Sequence, residues 1–71
     1  MFIAKYKNEE ISTRVPFSKI KKGDRIHNSV VFSRVVDIQK DVRFDDGLIV
    51  ELEDGMIWYV PASDPARRLN S

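Results

Sequence analysis

The chain has 71 residues, with 12 Lys or Arg, 11 Asp or Glu and a formal net charge of +1, so its charge alone implies no polyanion partner. Its length predicts one small domain, residues 1–71, which buries only about 60% of the surface of the unfolded chain. The absence of cysteine excludes disulfides and thiolate metal sites, and a single histidine excludes a zinc-finger-type site. We therefore predict no metal and no cofactor.

The N-terminal residues alternate between apolar and polar side chains in two short runs. Residues 2–6 and residues 11–15 each read as a strand, and the polar residues 7–10 between them read as a turn. Pro16 has no backbone N–H to donate, so it ends the second strand or places it at a sheet edge. We predict an N-terminal hairpin over residues 1–17.

The middle of the chain predicts one helical turn followed by one long strand. Ser18 can cap a turn that is too short to be a stable helix, and Gly23 then turns the chain into a strand. Residues 30–40 form the longest extended run, rich in β-branched side chains and without a helical period. A β-bulge near Ser33 and Arg34 would let this strand bend and would redirect Arg34.

The clearest local signal is a hairpin over residues 47–60. Asp54 and Gly55 suit a two-residue type I′ turn, which requires positive φ at both positions. This turn places Glu51 opposite Trp58, and side-chain alternation then defines two faces. The predicted core face consists of Leu48, Val50, Leu52, Ile57 and Tyr59. The opposite face, which we call the mixed face, consists of Ile49, Glu51, Glu53, Met56, Trp58 and Val60.

Together these elements predict an all-β fold. Five or six short strands, with turns every ~8–12 residues and at most one short helical turn, indicate a small, antiparallel, strongly bent barrel. The barrel core is predicted over residues 20–61, and its closure would remove exposed strand edges. Residues 62–71 are predicted to form a C-terminal tail, in which Pro65 suits the first position of a short turn and the last few residues are frayed.

Three segments carry a resemblance to a known class of domain. Residues 22–26 read Lys-Gly-Asp-Arg-Ile, residues 35–38 read Val-Val-Asp-Ile, and residues 47–55 form an apolar strand that ends in Asp-Gly. This arrangement resembles the SH3-like small barrels, which include Tudor, chromo-type and KOW-type modules, over residues 20–61. The resemblance implies an SH3-like binding module. The compact, cysteine-free and β-rich chain is also similar to many small bacteriophage-encoded proteins.

The mixed face of the hairpin is the first candidate site. It joins the only tryptophan to three other apolar side chains, with two carboxylates at the rim. Exposed apolar patches on small domains mark partner surfaces, and tryptophan is enriched at interface hot spots. We predict a non-catalytic adaptor or inhibitor that binds another protein through this face. The alternative is that the N-terminal hairpin, through Phe2, Tyr6 or Phe17, covers the face as a second core layer.

The second candidate site is basic. The N-terminal 40 residues carry nine Lys or Arg and four Asp or Glu, whereas residues 41–71 carry three and seven. Such an asymmetry indicates either a dipolar surface or, if the two halves interleave in space, a well-mixed solvated one. The alternative function is therefore a nucleic-acid-binding small barrel whose basic side chains contact phosphates. The predicted contact residues are Arg14, Lys19, Lys21, Lys22, Arg25 and Arg34.

Catalysis has almost no support in the sequence. The chain contains no cysteine nucleophile and no glycine-rich phosphate loop, and no motif joins a serine to His27. No apolar run approaches the roughly 18 residues of a membrane span, and the N-terminus does not read as a signal peptide. We predict a cytoplasmic protein that is not an enzyme and has no membrane partner. Self-association through an uncovered strand edge or the Trp58 face is a third hypothesis.

Overall fold

The structure is a computed structural model, and it describes residues 11–70. Its elements are β1 Ser12–Pro16, the 3-10 turn η1 Phe17–Lys19, β2 Arg25–His27, β3 Phe32–Lys40, β4 Gly47–Leu52, β5 Ile57–Pro61 and β6 Pro65–Leu69. The all-β prediction and the single helical turn are confirmed. Ser18 lies inside that turn and does not cap it, because Pro16 occupies the N-cap position. The predicted strand over residues 2–6 lies outside the described residues.

The six strands form one antiparallel sheet in the order β1-β6-β2-β3-β4-β5. The first half of β3 pairs with β2 and its second half pairs with β4. A β-bulge at Val36 separates the two halves, because Val35 is opposite Leu52 while Asp37 is already opposite Glu51. The sheet is compact and bent but does not close, so the prediction of a barrel is corrected to an open, bent sheet.

The predicted position of the bulge is also wrong. Ser33 is opposite Ile26 and Arg34 is opposite Arg25, so both remain within the regular ladder between β2 and β3. The extra residue lies where β3 changes its partner from β2 to β4. A bulge increases local bending and twist, which suits that junction.

The hydrophobic core lies on the concave side of the bent sheet. Ile26 and Val50 have no exposed surface, and Val35 and Leu52 are 1% exposed. The complete set of buried apolar residues is Phe17, Ile20, Ile26, Val35, Val50, Leu52 and Ala66. Because β2, β3, β4, β6 and η1 all contribute to this set, the core holds the two halves of the sheet together.

The hairpin between β4 and β5 has a three-residue turn instead of a two-residue turn. The Leu52 N–H donates to the Met56 carbonyl (2.9 Å), and the Gly55 N–H donates to the Leu52 carbonyl (3.0 Å). Gly55 has φ +93°, whereas Asp54 does not have positive φ. The Asp54 carboxylate instead accepts a hydrogen bond from the Met56 N–H (3.0 Å). This geometry is that of a type I turn followed by a glycine bulge.

The three-residue turn shifts the predicted register by one residue. Glu51 is opposite Ile57 and Val50 is opposite Trp58, whereas the type I′ turn predicted Glu51 opposite Trp58. A shift of one residue in one strand moves all of its side chains to the opposite face. The predicted division of the hairpin into a core face and a mixed face is therefore wrong for β5.

The prediction of a C-terminal tail over residues 62–71 is also wrong for residues 65–69. Pro65–Leu69 forms β6, which pairs with β1 along its whole length and with β2 at Ile26 and Arg68. Pro65 begins this strand and does not begin a helical turn. The Asn70 N–H donates to the Ile11 carbonyl (2.8 Å), which extends the pairing beyond the strand. Ala66 in this segment is buried and belongs to the core.

Substitution of the turn glycine tests the register. Gly55→Ala is expected to lower the free energy of unfolding by about 1–2 kcal/mol, because an L-residue with a Cβ atom is strained at positive φ. Gly55→Asn is the control and should recover part of this loss, since asparagine tolerates left-handed backbone. Chemical denaturation of the three proteins measures the difference. Equal stability of the wild type and Gly55→Ala would contradict the turn geometry.

Candidate functional site

In the observed register, the six residues of the mixed face do not share one surface. Trp58 and Val60 point to the concave side and pack against the core. The Trp58 ring meets the Phe17 ring edge-on, with 6.1 Å between centroids. Ile49 and Glu51 remain on the outward side, so they do not share a surface with Trp58. The expectation that Phe17 covers Trp58 as part of a core layer agrees with this packing.

The remaining two members of the mixed face lie near the turn. Glu53 is exposed in the three-residue loop, and Met56 is 43% exposed next to it. The backbone N–H of Glu53 donates to the Arg34 carbonyl (2.9 Å), which ties this loop to β3. These two side chains therefore border the end of the hairpin and do not extend an apolar patch around Trp58.

Ile57 and Tyr59 take the outward position that had been predicted for Trp58. They are 51% and 63% exposed, although the predicted register placed both in the core. Tyr59 is opposite Ile49 on β4, and Ile57 is opposite Glu51, which is itself opposite Asp37 on β3. The outward side of this half of the sheet is therefore apolar at β5 and acidic towards β3.

The loop between β3 and β4 places a paired arginine beside this surface. Arg43 donates from Nε and Nη2 to the two carboxylate oxygens of Asp41 (2.9 and 2.8 Å). Its guanidinium carbon also lies 5.4 Å from the ring centroids of both Phe44 and Tyr59. The hydrogen bond from Arg43 lowers the pKa of Asp41, and the same bond raises the pKa of Arg43. A shallow groove of about 290 Å³ runs between Phe44 and Tyr59.

The other half of the outward side is basic. Arg25 is directly opposite Arg34, and Arg14 is directly opposite Arg67. Each pair points away from the core, because the neighbouring residues Ile26, Val35 and Ala66 are the buried ones. We call the following set the arginine face: Arg14, Arg25, Arg34 and Arg67.

Strand pairing brings the two arginine pairs together. Ile26 on β2 is opposite Arg68 on β6, so the antiparallel register places His27 beside Arg67 and Arg25 beside Leu69. The four arginines therefore lie on adjacent strands of one continuous surface. His27 and Phe32 lie on the same surface, with their ring centroids 5.0 Å apart in an edge-to-face arrangement.

The arginine face has an excess of positive charge. Among residues 11–70 the one ion pair is that between Arg43 and Asp41, on the other half of the molecule. Arg14, Arg25 and Arg34 are exposed, and Arg67 is half-buried and donates to the Ser12 hydroxyl (3.2 Å). Like charges held this close repel one another, and an anion that binds between them relieves the repulsion.

The three predicted lysines are not part of this face. Lys19 is exposed in η1, and Lys22 is exposed in the tight turn over residues 21–24. Lys21 lies at the margin, since it lines a groove of about 620 Å³ together with Arg25 and Arg68. The structure thus gathers three of the six predicted basic residues.

Sequence reasoning missed Arg67 because it assigned residues 62–71 to a tail. The segment Pro-Ala-Arg-Arg-Leu shows no clear alternation of apolar and polar residues, because its two arginines are adjacent in the sequence. Only the pairing with β1 and β2 shows that Arg67 faces outward and Arg68 faces the other side.

Neither a family model nor a curated protein nor a solved structure matches this chain. Over residues 11–70, no helix is long and apolar enough to cross a membrane. The likeness to SH3-like barrels, the bacteriophage origin and the cytoplasmic location stay predictions. The function must therefore be inferred from the geometry of the two outward surfaces.

Acid titration tests the pair between Asp41 and Arg43. Because the folded-state pKa of Asp41 is lowered, the ionised carboxylate stabilises the fold at neutral pH, and this contribution is lost as the pH falls through that lowered value. Arg43→Gln should therefore be less stable than the wild type at pH 7, and the gap should narrow below about pH 4. Urea denaturation across this range measures the gap, with Arg14→Gln as the control, because no carboxylate among residues 11–70 forms an ion pair with Arg14. A gap that is independent of pH would contradict the pairing.

Proposed function

We propose that this chain is a non-catalytic nucleic-acid-binding module that contacts phosphates through the arginine face. The observation that carries the proposal is the arrangement of four arginines on one surface, with no carboxylate among residues 11–70 paired to any of them. Guanidinium groups bind phosphate oxygens through two parallel hydrogen bonds and remain charged at all physiological pH values.

The dimensions of the arginine face suit several consecutive phosphates. The face spans β1, β6, β2 and β3, which are neighbours in the sheet. With about 4.8 Å between adjacent strands, it extends roughly 14 Å. A surface of this width exceeds what one phosphate occupies, so it favours a polymer over a mononucleotide.

The aromatic pair within the face adds a second kind of contact. Phe32 is half-buried and packs edge-on against His27, between the arginines of β2, β3 and β6. Bases of unpaired nucleic acid stack on aromatic rings with little sequence preference. Phosphate contacts to the arginines, together with stacking on Phe32, favour binding that depends weakly on sequence.

The opposite charge on the other half of the sheet would orient the ligand. Asp37 and Glu51 are neighbours on the outward side of β3 and β4, and exposed Asp45 and Asp46 follow in the next loop. A polyanion is repelled from this half and attracted to the other, which increases the rate of productive encounter. The nearly neutral net charge of the chain therefore does not argue against a nucleic-acid partner.

Protein contact is a second candidate function, and one observation favours it. Ile57 and Tyr59 expose apolar surface on β5, and Phe44, which is 61% exposed, lies across the groove from Tyr59. Contiguous exposed apolar surface on a small domain marks a protein interface. The candidate surface for protein contact is therefore the outward side of β5 and not the face that was predicted around Trp58.

Salt-dependent binding of labelled oligonucleotides tests the nucleic-acid proposal. We expect single-stranded DNA or RNA to bind the wild type with an affinity that falls steeply between about 50 and 200 mM salt. The double variant Arg25→Gln and Arg34→Gln should bind more weakly, and its logarithmic salt slope should be smaller by about 2. Fluorescence anisotropy measures both quantities, with duplex DNA and RNA as parallel ligands.

The matched control removes two charges outside the arginine face. Lys19→Gln combined with Lys40→Gln changes the net charge equally, but Lys19 lies in η1 and Lys40 lies at the far end of β3. This variant should bind almost as well as the wild type. Absence of binding to all nucleic acids at micromolar protein, or equal losses in the two double variants, would refute the proposal.

A further inference from the structure

One backbone edge of β5 is not paired with any strand among residues 11–70. β5 is the last strand in the sheet order, so only β4 pairs with it among the described residues. Two hydrogen bonds show which opposite residues of β4 and β5 bond to each other. They run from the Leu52 N–H to the Met56 carbonyl and from the Ala62 N–H to the Asp46 carbonyl. Because hydrogen-bonded pairs alternate along antiparallel strands, the backbone groups of Ile57 and Tyr59 point away from β4.

This edge lacks most of the features that protect exposed strands. Ile57–Pro61 contains no charged residue, and its outward side chains Ile57 and Tyr59 are both more than half exposed. Proteins usually protect an edge with charged side chains, proline or a covering segment. Among residues 11–70 the features of this kind are the Arg43 guanidinium beside the Tyr59 ring and Pro61, which lacks an N–H and limits the edge at its end.

We infer that β5 pairs in antiparallel fashion with β5 of a second copy of this chain, with Ile57 opposite Tyr59 of that copy. In this register the N–H of each Ile57 donates to the carbonyl of Tyr59 in the other copy, and the N–H of each Tyr59 donates to the carbonyl of Ile57. Four hydrogen bonds form around a two-fold axis beside Trp58. The inference rests on the protein-contact candidate, whose partner it names.

The sequence of the edge selects this register over its neighbours. If Tyr59 were opposite itself, Ile57 would be opposite Pro61, which cannot donate to the Ile57 carbonyl. If Ile57 were opposite itself, Tyr59 would be opposite Gly55, which belongs to the turn. Only the pairing of Ile57 with Tyr59 uses both the outward N–H and the outward carbonyl of each of these two residues.

The side chains are complementary to the same register. Ile57 and Tyr59 of opposite copies become direct cross-strand neighbours on the outward side, and pairs of aromatic and β-branched residues stabilise antiparallel strands. No charged residue of one β5 faces a like charge of the other, since the strand has none. Because both copies use the same edge, the assembly closes at two and does not extend into a fibre.

Pairing at β5 would also join two arginine faces. Both faces lie on the outward side of the sheet, so a dimer presents them at the two ends of one continuous surface. Two linked sites bind a long polyanion more tightly than one site, because the second contact is intramolecular. The dimer itself does not require the nucleic-acid function, and the two are measured separately.

Sedimentation over a range of concentrations tests the pairing. The wild type should change from monomer to dimer at concentrations up to about 1 mM. Tyr59→Pro removes the outward N–H of Tyr59 but leaves the inward bonds of Val50 with Trp58 and of Leu48 with Val60, so it should fold and stay monomeric. Tyr59→Ala keeps the N–H and should weaken the dimer less. Circular dichroism confirms the fold of each variant.

A cross-linking experiment tests the register and does not depend on the proline variant. The chain has no cysteine, so Ile57→Cys and Tyr59→Cys each introduce a single thiol. In the inferred register these two positions lie about 5.5 Å apart between Cα atoms, which suits a disulfide. Like positions are separated by two residues along the strand, or roughly 9 Å, which exceeds disulfide range. An oxidised mixture of the two variants should therefore form mainly the mixed disulfide.

Three results would overturn the inference. They are a wild type that remains monomeric up to about 1 mM, a folded Tyr59→Pro variant that dimerises as well as the wild type, and disulfides that form equally between like and unlike positions. A monomeric wild type would leave contact with a different protein at β5 open to test. It would not affect the nucleic-acid proposal, which the anisotropy measurement tests separately.

Discussion

The structure depends on the three-residue turn between β4 and β5. Gly55 at φ +93° closes this turn, and the Asp54 carboxylate holds the Met56 N–H beside it. The resulting register turns Trp58 inward against Phe17 and turns Tyr59 outward. A turn shorter by one residue would reverse both, so one residue decides which aromatic side chain is available to a partner.

The second determinant is the change of partner along β3. Its first half pairs with β2, next to β6, on the side of the sheet where the arginine face lies. Its second half pairs with β4, next to β5, where the outward side is acidic and apolar. The bulge at Val36 separates the two. A single bent sheet therefore carries two outward surfaces of different chemistry over one shared core. The proposed phosphate contact and the inferred strand pairing therefore involve different residues.

Local chemistry in the sequence was sufficient for the fold class but not for the pairing. Alternation and β-branched content predicted most strands, and Pro16 and Gly23 marked real boundaries. The Asp54-Gly55 pair suits both a two-residue and a three-residue turn, so its register could not be read from the sequence. Arg67 was missed because a strand that pairs with two distant segments has no local signature. Three of the six predicted basic residues share a face only through this long-range pairing.

Chemical-shift mapping during titration with a short single-stranded oligonucleotide tests the division of the outward side most directly. The backbone amides of the arginine face and of Phe32 should shift, while those of Ile57 and Tyr59 should not. The arginine amides are those of Arg14, Arg25, Arg34 and Arg67. Shifts centred on β5, or spread evenly over both halves of the sheet, would contradict the assignment of nucleic-acid binding to the arginine face.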